Sequence, residues 1–247
     1  MTDGAPLVLI TGAAGRIGTA LRSALSHYRL RLHDRDLRRV ELKPNEEAAE
    51  CDLADFAGIR QAVEGCDAVI HLAGDPRPSA SWWELRSPNV DGPYHVFEAA
   101  RQAGVRRVVF ATTNHVTGML DQRGEWPISP DGELAPDSLY GVTKAFGEAL
   151  GRYFTENSDL SVVCLRIGWF HDRPLVDNPD WVRMWISEPD LGRLFNAAVT
   201  APVKFGIYYG VSNNTPMRYD LSNVRAELGY EPQDDSARVV AAARSQA

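Results

Sequence analysis

The sequence predicts an α/β fold built on a doubly wound parallel sheet. Two observations carry that expectation. Short, continuously apolar runs alternate with helix-like segments along most of the 247 residues, and the first run leads straight into a glycine-rich turn that opens a helix. A strand that is apolar on both faces needs cover on both faces, which a parallel sheet with helices on either side provides.

Taken in order, "LVLIT" (7–11) reads as the first strand, and the amphipathic segment 16–26 as the helix after it. "YRLRLHD" (28–34), "DAVIHLAG" (67–74), "RRVVFATT" (106–113) and "SVVCLRIG" (161–168) read as further strands. Segments 55–65, 89–103 and 139–156 supply the helices between them. Beyond residue 168 the pattern changes: "GWFHDRPLVDNPDWVRMWISEPD" is rich in Trp, Pro and Asp and has no clear period. A helix at 188–200, a strand-like "FGIYYGV" and a last helix near 220–228 follow. The expected organisation is a core over 1–168 and a small lobe over 169–247 that closes over the sheet, its strand and helices partly added to the core.

Composition excludes several classes. Hydrophobic residues make up 44% and charged residues 24%, as in ordinary globular proteins, and the net charge of -7 argues against a nucleic-acid surface. Cys51, Cys66 and Cys164 are unclustered, so neither disulfides nor a metal site is expected, and a reducing cytoplasm fits. The start lacks the basic and apolar regions of a signal peptide, and no apolar run approaches membrane-spanning length. A homo-oligomer is compatible with all of this.

Chemistry enters at the first turn. Gly12, Gly15 and Gly18 form GxxGxxG between a strand and a helix. Glycines permit the tight turn and the close approach of backbone to a pyrophosphate, and the helix start offers free N–H groups and a positive dipole end. A Rossmann-type dinucleotide site is therefore expected, with Arg16 and Ile17 inside the turn. Asp34 ends the second strand, where an acid hydrogen-bonds the adenosine ribose and repels a ribose phosphate; NAD is expected rather than NADP, although Arg16 and Arg35 lie close by. Asp52 and Leu53 in "CDLAD" are expected at the adenine edge. Leu72, Ala73 and Gly74 in "HLAGD", with Ile167 late in the chain, complete the cofactor set.

In "SLYGVTKAFGE" Tyr140 and Lys144 stand four apart, on one helical face. Alone the pattern is common. Together with the glycine turn, the strand-end acid, "CDL", "HLAG" and "ATTNHVTG", it resembles the extended short-chain dehydrogenase/reductase superfamily over residues 7 to 232. Within it, "FATTNHVTG", "SLYGVTK" and "LRIG" are similar to uronate dehydrogenases, and "HLAGDPRPSASW" with "YGVSNNTPMRYDL" to haloarchaeal NAD-dependent sugar dehydrogenases. Both groups oxidise the anomeric carbon of a sugar to a lactone. The resemblance implies a catalytic hydroxyl at Thr113, a base at Tyr140 and its activator at Lys144. It also implies substrate contacts from Asp75, Asn114 and His115.

Under that reading Tyr140 removes the proton of the anomeric hydroxyl while hydride leaves the same carbon. Its pKa must fall from about 10 by two to three units, with Lys144 and the cationic nicotinamide as sources. The short tail implies a small sugar or sugar acid in place of a nucleotide sugar. The alternatives are a nucleotide-sugar epimerase or dehydratase with tightly held NAD, and a non-catalytic dinucleotide sensor. One position departs from the pattern. Counting back from "MWIS", the arginine that clamps the substrate anion in relatives becomes Asp180. An acid there reverses the charge preference, so either a neutral aldose is the substrate or Arg183 or Arg173 reaches in to hold a uronate or sugar phosphate, with Arg77 as a further cation.

Overall fold

The computed structural model describes residues 4–171 and 178–245. Its centre is a seven-stranded sheet whose strands all pair in parallel. The strands are β1 (Leu7–Thr11), β2 (Arg29–Asp34), β3 (Glu46–Glu50), β4 (Ala68–His71), β5 (Arg107–Thr113), β6 (Ser161–Ile167) and, after a small pair β7 (Trp169–Phe170) and β8 (Trp185–Ile186), β9 (Phe205–Gly210). The spatial order is β3-β2-β1-β4-β5-β6-β9. The expected doubly wound α/β architecture is present. The order reverses between β1 and β4, which opens a crevice at their carboxyl ends.

Alternation explains why the strands read as unbroken apolar runs. Val8 and Ile10 join a core cluster with Leu21, Leu191 and Phe195 on one face. Leu7 and Leu9 join a second cluster with Ile59, Val63, Val96 and Phe97 on the other. The first layer is formed by α1 (Arg16–Ala24) and α8 (Glu188–Thr200), the second by α2 (Phe56–Val63), α4 (Gly92–Gln102) and α6 (Leu139–Asn157). The helix expected over 89–103 starts earlier. Helix α3 (Trp82–Arg86), with a capping box between Ser81 and Glu84, runs into a π turn (Ser87–Asp91) before α4.

Other elements escape a periodicity reading for physical reasons. β3 is "EEAAE", an edge strand paired only with β2, so it needs no continuous apolar run. Helices α5 (Gly118–Arg123) and α7 (Pro179–Arg183) are too short to show a period, and α9 (Ser222–Leu228) and α10 (Ser236–Arg244) complete the chain. Strand β4 stops at His71, short of the expected residue 74: the Ala73 N–H goes to the Thr11 hydroxyl instead of a neighbouring strand, and Gly74 follows with φ 156°. Among the described residues no helix is long and apolar enough to cross a membrane.

Candidate active site

Apart from Arg173, which lies outside the described residues, the residues assigned above to cofactor, catalysis or substrate line one cavity of about 1910 Å³ at the carboxyl ends of the strands. Its nucleotide end is built by the turn between β1 and α1. Gly12 has φ 72°, and a Cβ there would meet the backbone nitrogen of Ala73 at 2.8 Å, so conformation and space both exclude a side chain. Gly15 caps α1 with no side-chain bond and no acid in the first turn, leaving free N–H groups at a positive dipole end. Asp34 lies against this turn: one carboxylate oxygen accepts the Ala14 N–H at 3.0 Å and the other the Arg35 N–H at 2.8 Å. A backbone cradle that a methyl group would close, an uncapped helix start and an adjacent acid together fit a dinucleotide.

The end that holds the expected catalytic residues joins β5 to α6. Thr113 is buried at the end of β5, where its hydroxyl accepts the His115 N–H and donates to Asn114 Oδ1, each at 3.3 Å. Ser138 caps α6 by accepting the Gly141 N–H at 3.2 Å, which places Tyr140 in the first turn and Lys144 one turn later. Helix α6 can press against β5 because Gly147 sits on the Phe110 ring where any Cβ would collide. The Lys144 ammonium donates to the Ala111 carbonyl at 2.8 Å and lies 4.8 Å from the Phe110 ring centroid.

Burial dominates the electrostatics of this pair. Burial lowers the Lys144 pKa to about 8, opposed by the Glu148 charge. Burial pushes the Tyr140 phenol up to about 12; the Thr113 hydroxyl pulls against this, and the Asp75 charge adds to it. The protein alone therefore raises Tyr140, whereas a base needs it lowered. Dehydration of the site outweighs the nearby groups.

His115 is held by Asp137, whose carboxylate oxygen lies 2.9 Å from Nδ1, and its ring stands edge-on to Tyr140 at 5.8 Å between centroids. The Asp137 carboxyl is pushed up by burial but held below its ordinary value overall by hydrogen bonds and charge from His115 and by Ser138. Asn114 donates to the Tyr219 hydroxyl at 3.2 Å and the Met184 sulfur at 3.3 Å, tying β5 to the C-terminal segments. Sequence reasoning missed Asp137, although it directly precedes the Ser138 cap. It also missed Asn89, on the π turn, whose amide accepts the Asp75 N–H at 2.7 Å and donates to the Asp75 carbonyl at 2.9 Å. Its place at the head of the helical segment expected over 89–103, facing the end of "HLAGD", was the available signal. Glu148 was missed as well: on α6 it makes a fully buried double hydrogen bond to Arg166, at 2.9 and 2.8 Å.

At the far end the structure sorts the candidate cations. Arg77 is not free, since Asp75 holds it at 2.5 Å and Glu84 at 3.0 Å. Arg183 is half-buried on the cavity wall, and among the described residues its guanidinium has no hydrogen bond or ion pair. Arg173 lies outside the described residues. Asp180 is not a bare acid: it pairs with Arg218 at 2.6 Å, a residue that sequence reasoning did not single out. Among the described residues no group of three His, Cys, Asp or Glu side chains is placed to hold a metal ion.

Comparisons with known proteins agree with this geometry. Residues 8–169 match the NAD dependent epimerase/dehydratase family. An NAD-dependent glucose-6-phosphate dehydrogenase of Haloferax volcanii is 39% identical over 93% of this chain and 94% of its own. A uronate dehydrogenase of Pseudomonas putida is 37% identical over 97% of this chain and 88% of its own. Among solved structures, a mutant uronate dehydrogenase from Agrobacterium tumefaciens in complex with NAD superposes with a TM-score of 0.87 at 31% identity, covering 98% of this chain and 90% of that one.

Proposed function

The chain belongs to the NAD dependent epimerase/dehydratase family, and we propose that it oxidises the anomeric carbon of a small sugar or sugar acid to a lactone, with NAD as cofactor. The observation that carries this reading is the meeting of Thr113, Tyr140 and Lys144 with the glycine cradle and Asp34 in one cavity. Gly12, Gly15 and Gly18 would hold the pyrophosphate on the α1 terminus, and Asp34 the adenosine ribose. When bound, NAD supplies the hydride acceptor and a positive charge. Thr113 would hydrogen-bond the anomeric hydroxyl and orient it, and Tyr140 would take its proton. Lys144, fixed by Ala111 O, would anchor the nicotinamide ribose beside them. His115, steadied by Asp137, and Asn114 would bind the remaining sugar hydroxyls, and Asp75 would border them.

Arg183 is the cation we assign to the far end of the sugar, because it lines the cavity and, among the described residues, its guanidinium has no hydrogen bond or ion pair. A reducing, cytoplasmic setting suits the three free cysteines. The deciding experiment is a screen of NAD reduction against aldoses, uronic acids and sugar phosphates. Formation of NADH with one of these classes is the expected result. NAD retained through purification, with no NADH released on any free sugar, would favour a nucleotide-sugar epimerase or dehydratase instead.

A further inference from the structure

Arg218 is an unusual cation for a cavity wall. It is 4% exposed, lines the cavity, and its guanidinium lies 4.5 Å from the Trp126 ring centroid. One end is fixed: Nη1 donates to both oxygens of Asp121, at 3.0 and 2.8 Å, and Asp121 also accepts the Trp126 indole N–H at 2.7 Å. The other edge is poorly used. Among the described residues Nη2 donates only to Asp180, and the buried Nε has no hydrogen-bond partner. Nε and one Nη form the fork that fits a carboxylate or phosphate through parallel hydrogen bonds. Asp180 occupies one prong of that fork, and its side chain is 66% exposed while Arg218 is 5%. An ion pair with one partner so exposed contributes little, so it exchanges readily for a better anion.

We infer that Arg218 is a specificity-determining residue that receives the carboxylate or phosphate of the sugar on its Nε/Nη2 fork, with Asp180 as a displaceable stand-in for that anion. This rests on the sugar-dehydrogenase reading and names its substrate class as anionic sugars. The acid at the clamp position then covers an anion site that is supplied from the other side of the cavity. Arg183 adds a second positive charge at the same end. An anion that fills both prongs satisfies the buried Nε, which Asp180 leaves orphaned.

Calorimetric titration of the NADH-loaded protein with glucuronate, glucose 6-phosphate and glucose tests this without relying on turnover. The native protein is expected to bind at least one of the two anionic sugars more tightly than glucose, and the tighter of the two identifies the group. Asp180→Asn removes the competing carboxylate from an exposed position and should tighten the preferred anion several-fold, with the ratio to glucose rising. Arg218→Gln should reduce the anion-to-glucose affinity ratio by about tenfold or more, the loss of a charge-assisted hydrogen bond. Equal binding of all three sugars by the native protein would overturn the inference. So would an Asp180→Asn protein with an unchanged ratio, a variant whose exposed site leaves folding intact even if Arg218→Gln does not fold. Failure of the dehydrogenase reading looks different: the sugars bind with this pattern, yet NAD is not reduced.

Discussion

Lys144 carries a measurable imprint of its burial. In the fold its pKa falls from the ordinary 10.5 to about 8, mainly through desolvation, and that difference is worth about 3.4 kcal/mol of opposition to folding at neutral pH. Below about pH 8 both folded and unfolded chains hold the proton, so the penalty is felt in full. Between about pH 8 and about pH 10.5 the folded protein has released the proton while the unfolded chain keeps it. The unfolded state then binds more protons, and stability must rise with pH. Without nucleotide, the native protein should gain about 2 kcal/mol from this group between about pH 7 and about pH 9.5. Lys144→Met should abolish the gain. The substitution also strips the Ala111 carbonyl of its donor, a loss of about 1–3 kcal/mol that offsets the relief at neutral pH. The pH slope is therefore the diagnostic quantity, and the absolute stability is not. Urea unfolding of both proteins across that range measures it. Parallel stability profiles for native and variant protein would refute the claim that a charged lysine is buried under the cofactor site.

Tyr140→Phe should lower turnover by about 100-fold to 10,000-fold, with NAD affinity largely kept, because only the proton-transferring oxygen is removed; near-normal turnover would defeat the assignment. Asp34→Ala should narrow the preference for NAD over NADP, read as the ratio of kcat/KM for the two cofactors, since the acid beside the Ala14 N–H is the group placed to repel a ribose phosphate. A native preference for NADP would show that Arg16 or Arg35 outweighs the acid. Gly12→Ala adds a methyl at φ 72° facing Ala73, with backbone strain of roughly 1–2 kcal/mol and a closed cradle. Nucleotide binding by calorimetry should be lost while circular dichroism shows the fold retained, and native affinity would contradict the cradle.

How much of this site could be read from the chain depends on what encodes each part. The cofactor end is made of backbone events: a turn that tolerates only glycine at Gly12, a strand that ends at Asp34, a helix that starts uncapped at Gly15. Such events leave local marks in the sequence, and the residues so marked all line the cavity. Tyr140 and Lys144 are legible for the same reason, since helical spacing alone puts them on one face. The sign of the Tyr140 shift was not legible, because it depends on how completely the packed helix excludes water. The far end is encoded differently again. Asp121, Asp180 and Arg218 lie far apart in the chain, on α5, α7 and the stretch after β9, and meet only in the folded protein. Each reads locally as a charge on a loop or a short helix. Counting back from "MWIS" finds the acid but not the arginine opposite it. Charge preference at such a site belongs to the assembled cluster, so a clamp residue exchanged on one wall has meaning only with its partner on the other.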